Sequence, residues 1–107
     1  MISTHVLDTS RGLPASEVSV SLEKKDGEIW TKIVVEKTNS DGRIAFGVPS
    51  EKGLYRLTFE TSAYFLRTQT ESFFPEIPVV FLISDTSRKY HVPVLLNPYG
   101  YSTYRGS

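Results

Sequence analysis

Apolar and polar positions alternate along most of this chain. Val18, Val20 and Leu22 alternate with Ser19, Ser21 and Glu23, the period of a strand with one face in a core. Lys25-Asp26-Gly27-Glu28 holds the Asp-Gly pair that favours a tight hairpin, so residues 29–37 are expected as the return strand. Asn39-Ser40-Asp41-Gly42 signals a second turn. Ile44 and Phe46 then share an apolar parity, which leaves Arg43 and Ala45 facing out. Residues 3–8 alternate as well, with Thr4, Val6 and Asp8 on one parity and Ser3, His5 and Leu7 on the other. Val6 is the expected core residue there, and His5 points away from it. Residues 9–14 are a breaker-rich loop.

Residues 53–60 read as a strand with Tyr55, Leu57 and Phe59 inward. Residues 61–67 read as a short helix, N-capped by Thr61 or Ser62 and anchored by Tyr64 and Phe65. Residues 68–78 are irregular and marked by proline. The run Val79-Val80-Phe81-Leu82-Ile83 predicts a strand covered on both faces, inside the domain or against another subunit. Tyr90, Val92, Val94 and Leu96 share one parity of a further strand, and His91, Pro93 and Leu95 share the other. Asn97-Pro98-Tyr99-Gly100 is a turn into a last short strand over 101–105, with Tyr101 and Thr103 toward the core and Ser102 and Tyr104 away from it. Seven or eight short strands and at most one helix predict an all-β fold: a two-sheet antiparallel sandwich, one domain over residues 1–107.

The composition narrows the function. Lys+Arg and Asp+Glu number 12 each, so no charge excess favours nucleic acid or an acidic membrane surface as partner. The chain has no cysteine, which removes disulfides and zinc–thiolate sites. Its first residues carry neither a basic segment nor a long apolar run, so neither a signal peptide nor a membrane span is expected and the cytosol is the default compartment. A signal removed before Met1 would leave no trace.

Both histidines, His5 and His91, sit in mid-strand on non-core parities, as does Arg43. An imidazole exchanges protons near neutrality. A guanidinium stays charged and holds an oxyanion with its planar fork. Together they suit hydrolysis by activated water. Each has a plainer reading too, as a solvated strand residue. No nucleophile-elbow motif supports a triad of Ser102, His91 and Asp85. No ligand spacing supports a metal site, and no glycine-rich phosphate loop is present.

The motifs His5-Val6-Leu7-Asp8-Thr9-Ser10-Arg11-Gly12, Asp41-Gly42-Arg43, His91-Val92-Pro93 and Tyr104-Arg105-Gly106-Ser107 resemble the 5-hydroxyisourate hydrolase family, the transthyretin-related proteins of purine breakdown. The resemblance runs essentially from end to end, and the combination of tail, histidines and arginine is specific. Transthyretin itself is similar in the Leu-Leu-x-Pro-Tyr-x-Tyr-Ser-Thr run but lacks the histidines, the arginine and this tail. Asn97 stands where serine is expected. The resemblance implies a transthyretin-like sandwich and a homotetramer, a dimer of dimers with active sites where the dimers meet. It implies cofactor-free hydrolysis of 5-hydroxyisourate to 2-oxo-4-hydroxy-4-carboxy-5-ureidoimidazoline in urate degradation. By matching motif, His5, Arg43 and His91 would be catalytic. Tyr104, Arg105, Ser107 and Ser102 would bind substrate or shape the pocket, with the Ser107 carboxylate holding Arg105 or a histidine.

Two other classes compete. A transthyretin-like carrier would hold a small ligand without turning it over, and has no need of proton-transfer groups. An adhesion or assembly module would use Tyr99, Tyr101 and Tyr104 as interface aromatics, and leaves Arg43 and both histidines without a role.

Overall fold

The computed structural model describes residues 1–107. The strands are β1 (Ile2–Asp8), β2 (Leu13–Pro14), β3 (Ser19–Asp26), β4 (Ile29–Lys37), β5 (Arg43–Phe46), β6 (Gly53–Phe59), β7 (Ile77–Ile83), β8 (Tyr90–Asn97) and β9 (Gly100–Thr103), with one helix, α1 (Thr61–Arg67). They form two packed sheets. One runs β2-β1-β8-β9, with β5 also on β1; the other runs β4-β3-β6-β7. This is the expected all-β sandwich. Pairing is antiparallel except between β1 and β8, which run parallel. Alternation fixes which residues face the core, not which neighbour a strand takes.

The core lies between the sheets and comes from single parities of each strand: Ile2 and Val6 of β1, Val20 and Leu22 of β3, Leu57 and Phe59 of β6, Val94 and Leu96 of β8, all buried. Tyr55 of β6 stacks on Phe81 of β7 at 5.8 Å. Asp8 shares the core parity and is buried. Its carboxylate is satisfied. Oδ1 accepts from the Ser10 N–H at 3.0 Å, the Ser10 hydroxyl at 2.6 Å and the Arg11 N–H at 3.2 Å, and Oδ2 accepts from the Tyr64 hydroxyl at 2.7 Å. Burial, and then this bond to Asp8, push the Tyr64 hydroxyl above its usual pKa. One side chain thus ties the end of β1 to the loop after it and to α1.

Four local expectations change. The run 79–83 is covered on one face within this chain, with Val80 and Leu82 54% and 59% exposed, so of the two expected covers for its second face the domain itself supplies none. β7 pairs on one side, with β6. It also starts earlier, taking in Pro78, which an edge strand tolerates because the missing N–H costs no ladder bond. The α1 N-cap is Glu60, with no side-chain cap; the Thr61 hydroxyl bonds the Phe74 carbonyl instead at 3.1 Å. Tyr101 and Thr103 do not reach the core, since β9 is an edge strand exposed along most of its length. Tyr101 packs edge-on against Phe74 at 5.2 Å, and the Thr103 hydroxyl bonds the Pro93 carbonyl at 2.8 Å.

No helix is long and apolar enough to cross a membrane.

Replacing Tyr64 by Phe removes the donor on Asp8 Oδ2 and leaves that oxygen buried without a partner. Urea unfolding should show a loss of about 1–3 kcal/mol. A variant as stable as the parent would mean that the Asp8–Tyr64 bond contributes nothing to holding α1 on the sandwich.

Candidate active site

The outer face of the five-stranded sheet gathers the polar groups that face away from the core. β1 presents Ser3, His5 and Leu7; β8 presents His91, Pro93 and Leu95; β5 presents Arg43 and Ala45. Register sets their neighbours. Arg43 lies opposite His5 on one side of β1, Pro93 lies opposite His5 on the other, and Ser3 lies opposite His91. Directly opposed Cβ atoms in a sheet are about 5 Å apart, so His5 is flanked by Arg43 and sits diagonally from His91.

The turn before β5 aims Arg43. Asn39 Oδ1 accepts the N–H groups of Asp41 at 2.9 Å and Arg43 at 3.0 Å, and the Gly42 N–H donates to the Asn39 carbonyl at 2.9 Å. Gly42 adopts φ +74°, and its carbonyl accepts the Val6 N–H at 2.7 Å. A Cβ here would collide with the Val6 carbonyl oxygen. The turn needs glycine for its backbone angle and for its close approach to β1.

His91 is half-buried, and its Nδ1 pairs with Ser3 Oγ at 2.8 Å. Burial, then the Arg43 cation, then His5 lower its pKa from the usual 6.5; the Ser3 backbone opposes them weakly. The ring is therefore neutral at neutral pH and able to accept a proton. Beyond Thr103 the chain stays in register with β8. The Gly106 N–H donates to the His91 carbonyl at 2.8 Å, bridging Gly106 to His91. Two residues on each strand separate this bridge from the Val94–Thr103 pair, so Tyr104 falls opposite Pro93 and Arg105 opposite Val92.

The named residues divide as follows. Arg43, His91 and Ser107 line one cleft of about 440 Å³ together with Ser3, Ala45 and Lys89. Ser107 brings the one carboxylate among the lining residues, and the Arg43 guanidinium is the group suited to a substrate oxygen that gains negative charge. Tyr104 and Arg105 line an adjacent apolar groove of about 230 Å³ with Phe81, Leu82 and Val92, and His91 borders both. His5 lies beside the first cleft, next to Arg43. Ser102 shares the outer face but pairs with Leu95 and lines neither space. Arg105 is not held by the Ser107 carboxylate, and neither histidine is. Its guanidinium instead lies over the Tyr90 ring at 4.5 Å and donates to the Lys89 carbonyl at 3.3 Å. The reason is register: Arg105 falls on the core-side parity, over the open edge of the sandwich. No group of three His, Asp or Glu side chains is placed to hold a metal ion.

Sequence reasoning passed over Ser3 and Gly106. Ser3 carried a signal, since it shares a parity with His5 two residues away. Gly106 was legible only as part of the tail motif.

Fold and outer face together define a β-sandwich that carries two histidines and an arginine on one sheet surface. A model of the HIUase/Transthyretin family matches residues 2–106. The 5-hydroxyisourate hydrolase of Salmonella dublin is 48% identical over 110 residues, covering 100% of this chain and 81% of that protein. The structure of Klebsiella pneumoniae 5-hydroxyisourate hydrolase is 44% identical, with a TM-score of 0.87 over 99% of this chain and 98% of that one. Sea bream transthyretin in complex with thyroxine is 28% identical, with a TM-score of 0.92 over 98% and 93%. The chain belongs to the HIUase/Transthyretin family.

A histidine with a depressed folded-state pKa adds stability that is present above its unfolded value and lost as pH falls through the folded value. NMR titration of His91 should give a midpoint below 6.5, and Arg43→Gln should raise that midpoint part of the way, because burial is the larger cause. A midpoint at or above 6.5 in the parent would show that Arg43 and burial do not act on this ring.

Proposed function

We propose that this chain hydrolyses 5-hydroxyisourate, opening its six-membered ring to 2-oxo-4-hydroxy-4-carboxy-5-ureidoimidazoline. The observation that carries the reading is the placement of Arg43 opposite His5, beside a His91 kept neutral, in a chain 48% identical from end to end to a protein named for that activity. One histidine takes a proton from water as the water oxygen adds to the ring carbonyl carbon. The carbonyl electron pair moves onto its oxygen, where the Arg43 guanidinium stabilises it. The electron pair returns, the C–N bond breaks, and the other histidine gives the departing nitrogen a proton. Tyr104 walls the substrate, and the tail that ends at Ser107 closes the cleft.

The chain acts as one domain, and its outer face is completed by assembly into a homotetramer. An open sheet face is wet, which weakens every charge–charge contact. A second copy laid across it would exclude water and strengthen them. The carrier reading leaves the His5, Arg43 and His91 grouping without work to do.

The test is the decay of ultraviolet absorbance of freshly made 5-hydroxyisourate. His5→Asn and His91→Asn should each lower kcat by about 10²- to 10⁴-fold with the fold intact. In the parent, kcat/KM should fall with acid through the His91 pKa, below pH 6.5. Near-normal turnover in both variants would falsify the assignment. Leu95→Glu, on the same outer face, should weaken assembly and activity together; a monomer by sedimentation with full turnover would rule out the assembled site.

A further inference from the structure

His91 is held from two sides, by two segments from opposite ends of the chain. On its Nδ1 edge stands Ser3, with Oγ at 2.8 Å. On its Cδ2 edge stands Gly106, so close that an added Cβ would overlap Cδ2 and lie 3.2 Å from Pro93 Cγ. Nδ1 and Cδ2 are the two ring atoms bonded to Cγ, one on each side. Turning the ring over about the Cβ–Cγ bond would exchange Nδ1 for Cδ2 and lose the Ser3 bond, while the tail packed on the Cδ2 edge holds the plane of the ring. Nε2, at the far end of the ring, has no hydrogen-bond partner within the chain, whereas Nδ1 has one.

We infer that Ser3 and Gly106 are positioning residues for His91: Ser3 ties up Nδ1 and so fixes which edge of the ring faces it, Gly106 packs against the other edge where no side chain fits, and Nε2 is left as the nitrogen that exchanges a proton with water or substrate. The functional part of this inference rests on the hydrolase reading above; the ring geometry does not. Which role Nε2 takes follows from the tautomer. If Nδ1–H donates to Ser3 Oγ, Nε2 is a base; if the Ser3 hydroxyl donates to Nδ1, Nε2–H is a donor. Either way one nitrogen does the chemistry. Gly106 adds a reason for the end of the tail: only a residue without a side chain lets the strand pass across an imidazole at this distance.

The experiment reads the imidazole nitrogens of the whole protein by ¹⁵N NMR above the His91 pKa, beside turnover of 5-hydroxyisourate. The parent should show a His91 Nδ1 signal shifted by its hydrogen bond to Ser3, with Nε2 at the position of a nitrogen open to water. Ser3→Ala should remove the Nδ1 shift and lower kcat about tenfold with KM little changed, and Ser3→Thr, which keeps the hydroxyl, should restore both. Gly106→Ala should shift the His91 ring signals and lower kcat about tenfold while Tm falls by no more than a few degrees. A parent without the Nδ1 shift, or a Ser3→Ala protein with full kcat, overturns the inference. A parent that shows the Nδ1 shift but leaves 5-hydroxyisourate untouched overturns the substrate reading and leaves the clamp supported.

Discussion

The parallel ladder between β1 and β8 is the constraint on which the rest depends. It pairs seven residues with seven, from Ile2–Tyr90 to Asp8–Leu96, across nearly the whole length of the chain. On its inner side it buries Ile2, Val6, Val92 and Val94 in the core. Each such side chain contributes about 1.5–3 kcal/mol by leaving water. A slip of one residue would turn all of them out and bring the polar set in. The same ladder, read on its outer side, sets Ser3 beside His91 and His5 beside Pro93. The accuracy of the polar face is therefore inherited from the core. The hydroxyl of Thr4, bonded to the Val92 carbonyl at 2.6 Å, pins the register from within.

The outer face concentrates cations and potential cations: Arg43, His5, His91 and Lys89. Such a group repels a proton, and the half-buried His91 responds by staying neutral. A neutral imidazole beside a permanent guanidinium is a useful pair. One partner exchanges protons while the other keeps its charge at any working pH. The arrangement stores no ion pair of its own, because the two ion pairs of the chain, Lys24–Glu51 and Arg56–Glu23, lie on other elements. The one carboxylate among the residues lining its cleft is that of Ser107, and it pairs with none of these cations.

The tail shows how one strand can serve both faces. Arg105 turns inward, stacks on Tyr90 and bonds the Lys89 carbonyl, which fastens the tail to the sandwich edge. Tyr90 is itself fixed, its hydroxyl accepting the Asp85 N–H at 3.1 Å. With that anchor set, the residues on either side of Arg105 fall on the outer parity, Tyr104 beside Pro93 and Gly106 beside His91. The charged residue of the tail holds it down, and the residue without a side chain touches the histidine. Next to the tail, the edge of β7 leaves Val80 and Leu82 uncovered, so the run 79–83 is apolar on both faces but buried on one within this chain.

The sequence alone determined the sandwich, the inward parities of nearly every strand, and the outward placement of His5, Arg43 and His91. It could do so because period-two alternation and turn residues such as Asp26-Gly27 and Asn39 to Gly42 are local signals, readable within a few residues. Motif resemblance added the tail. The parallel pairing of β1 with β8, the Ser3 bond to His91, the contact of Gly106 with the same ring and the inward turn of Arg105 were decided by tertiary structure. Each depends on which strand lies beside which, and on contacts between residues as far apart as Ser3 and His91. The helix cap belongs here too, since Thr61 gave its hydroxyl to Phe74 once the fold had brought that carbonyl near. Local pattern fixes the face on which a side chain stands; only packing across the whole chain fixes what stands next to it.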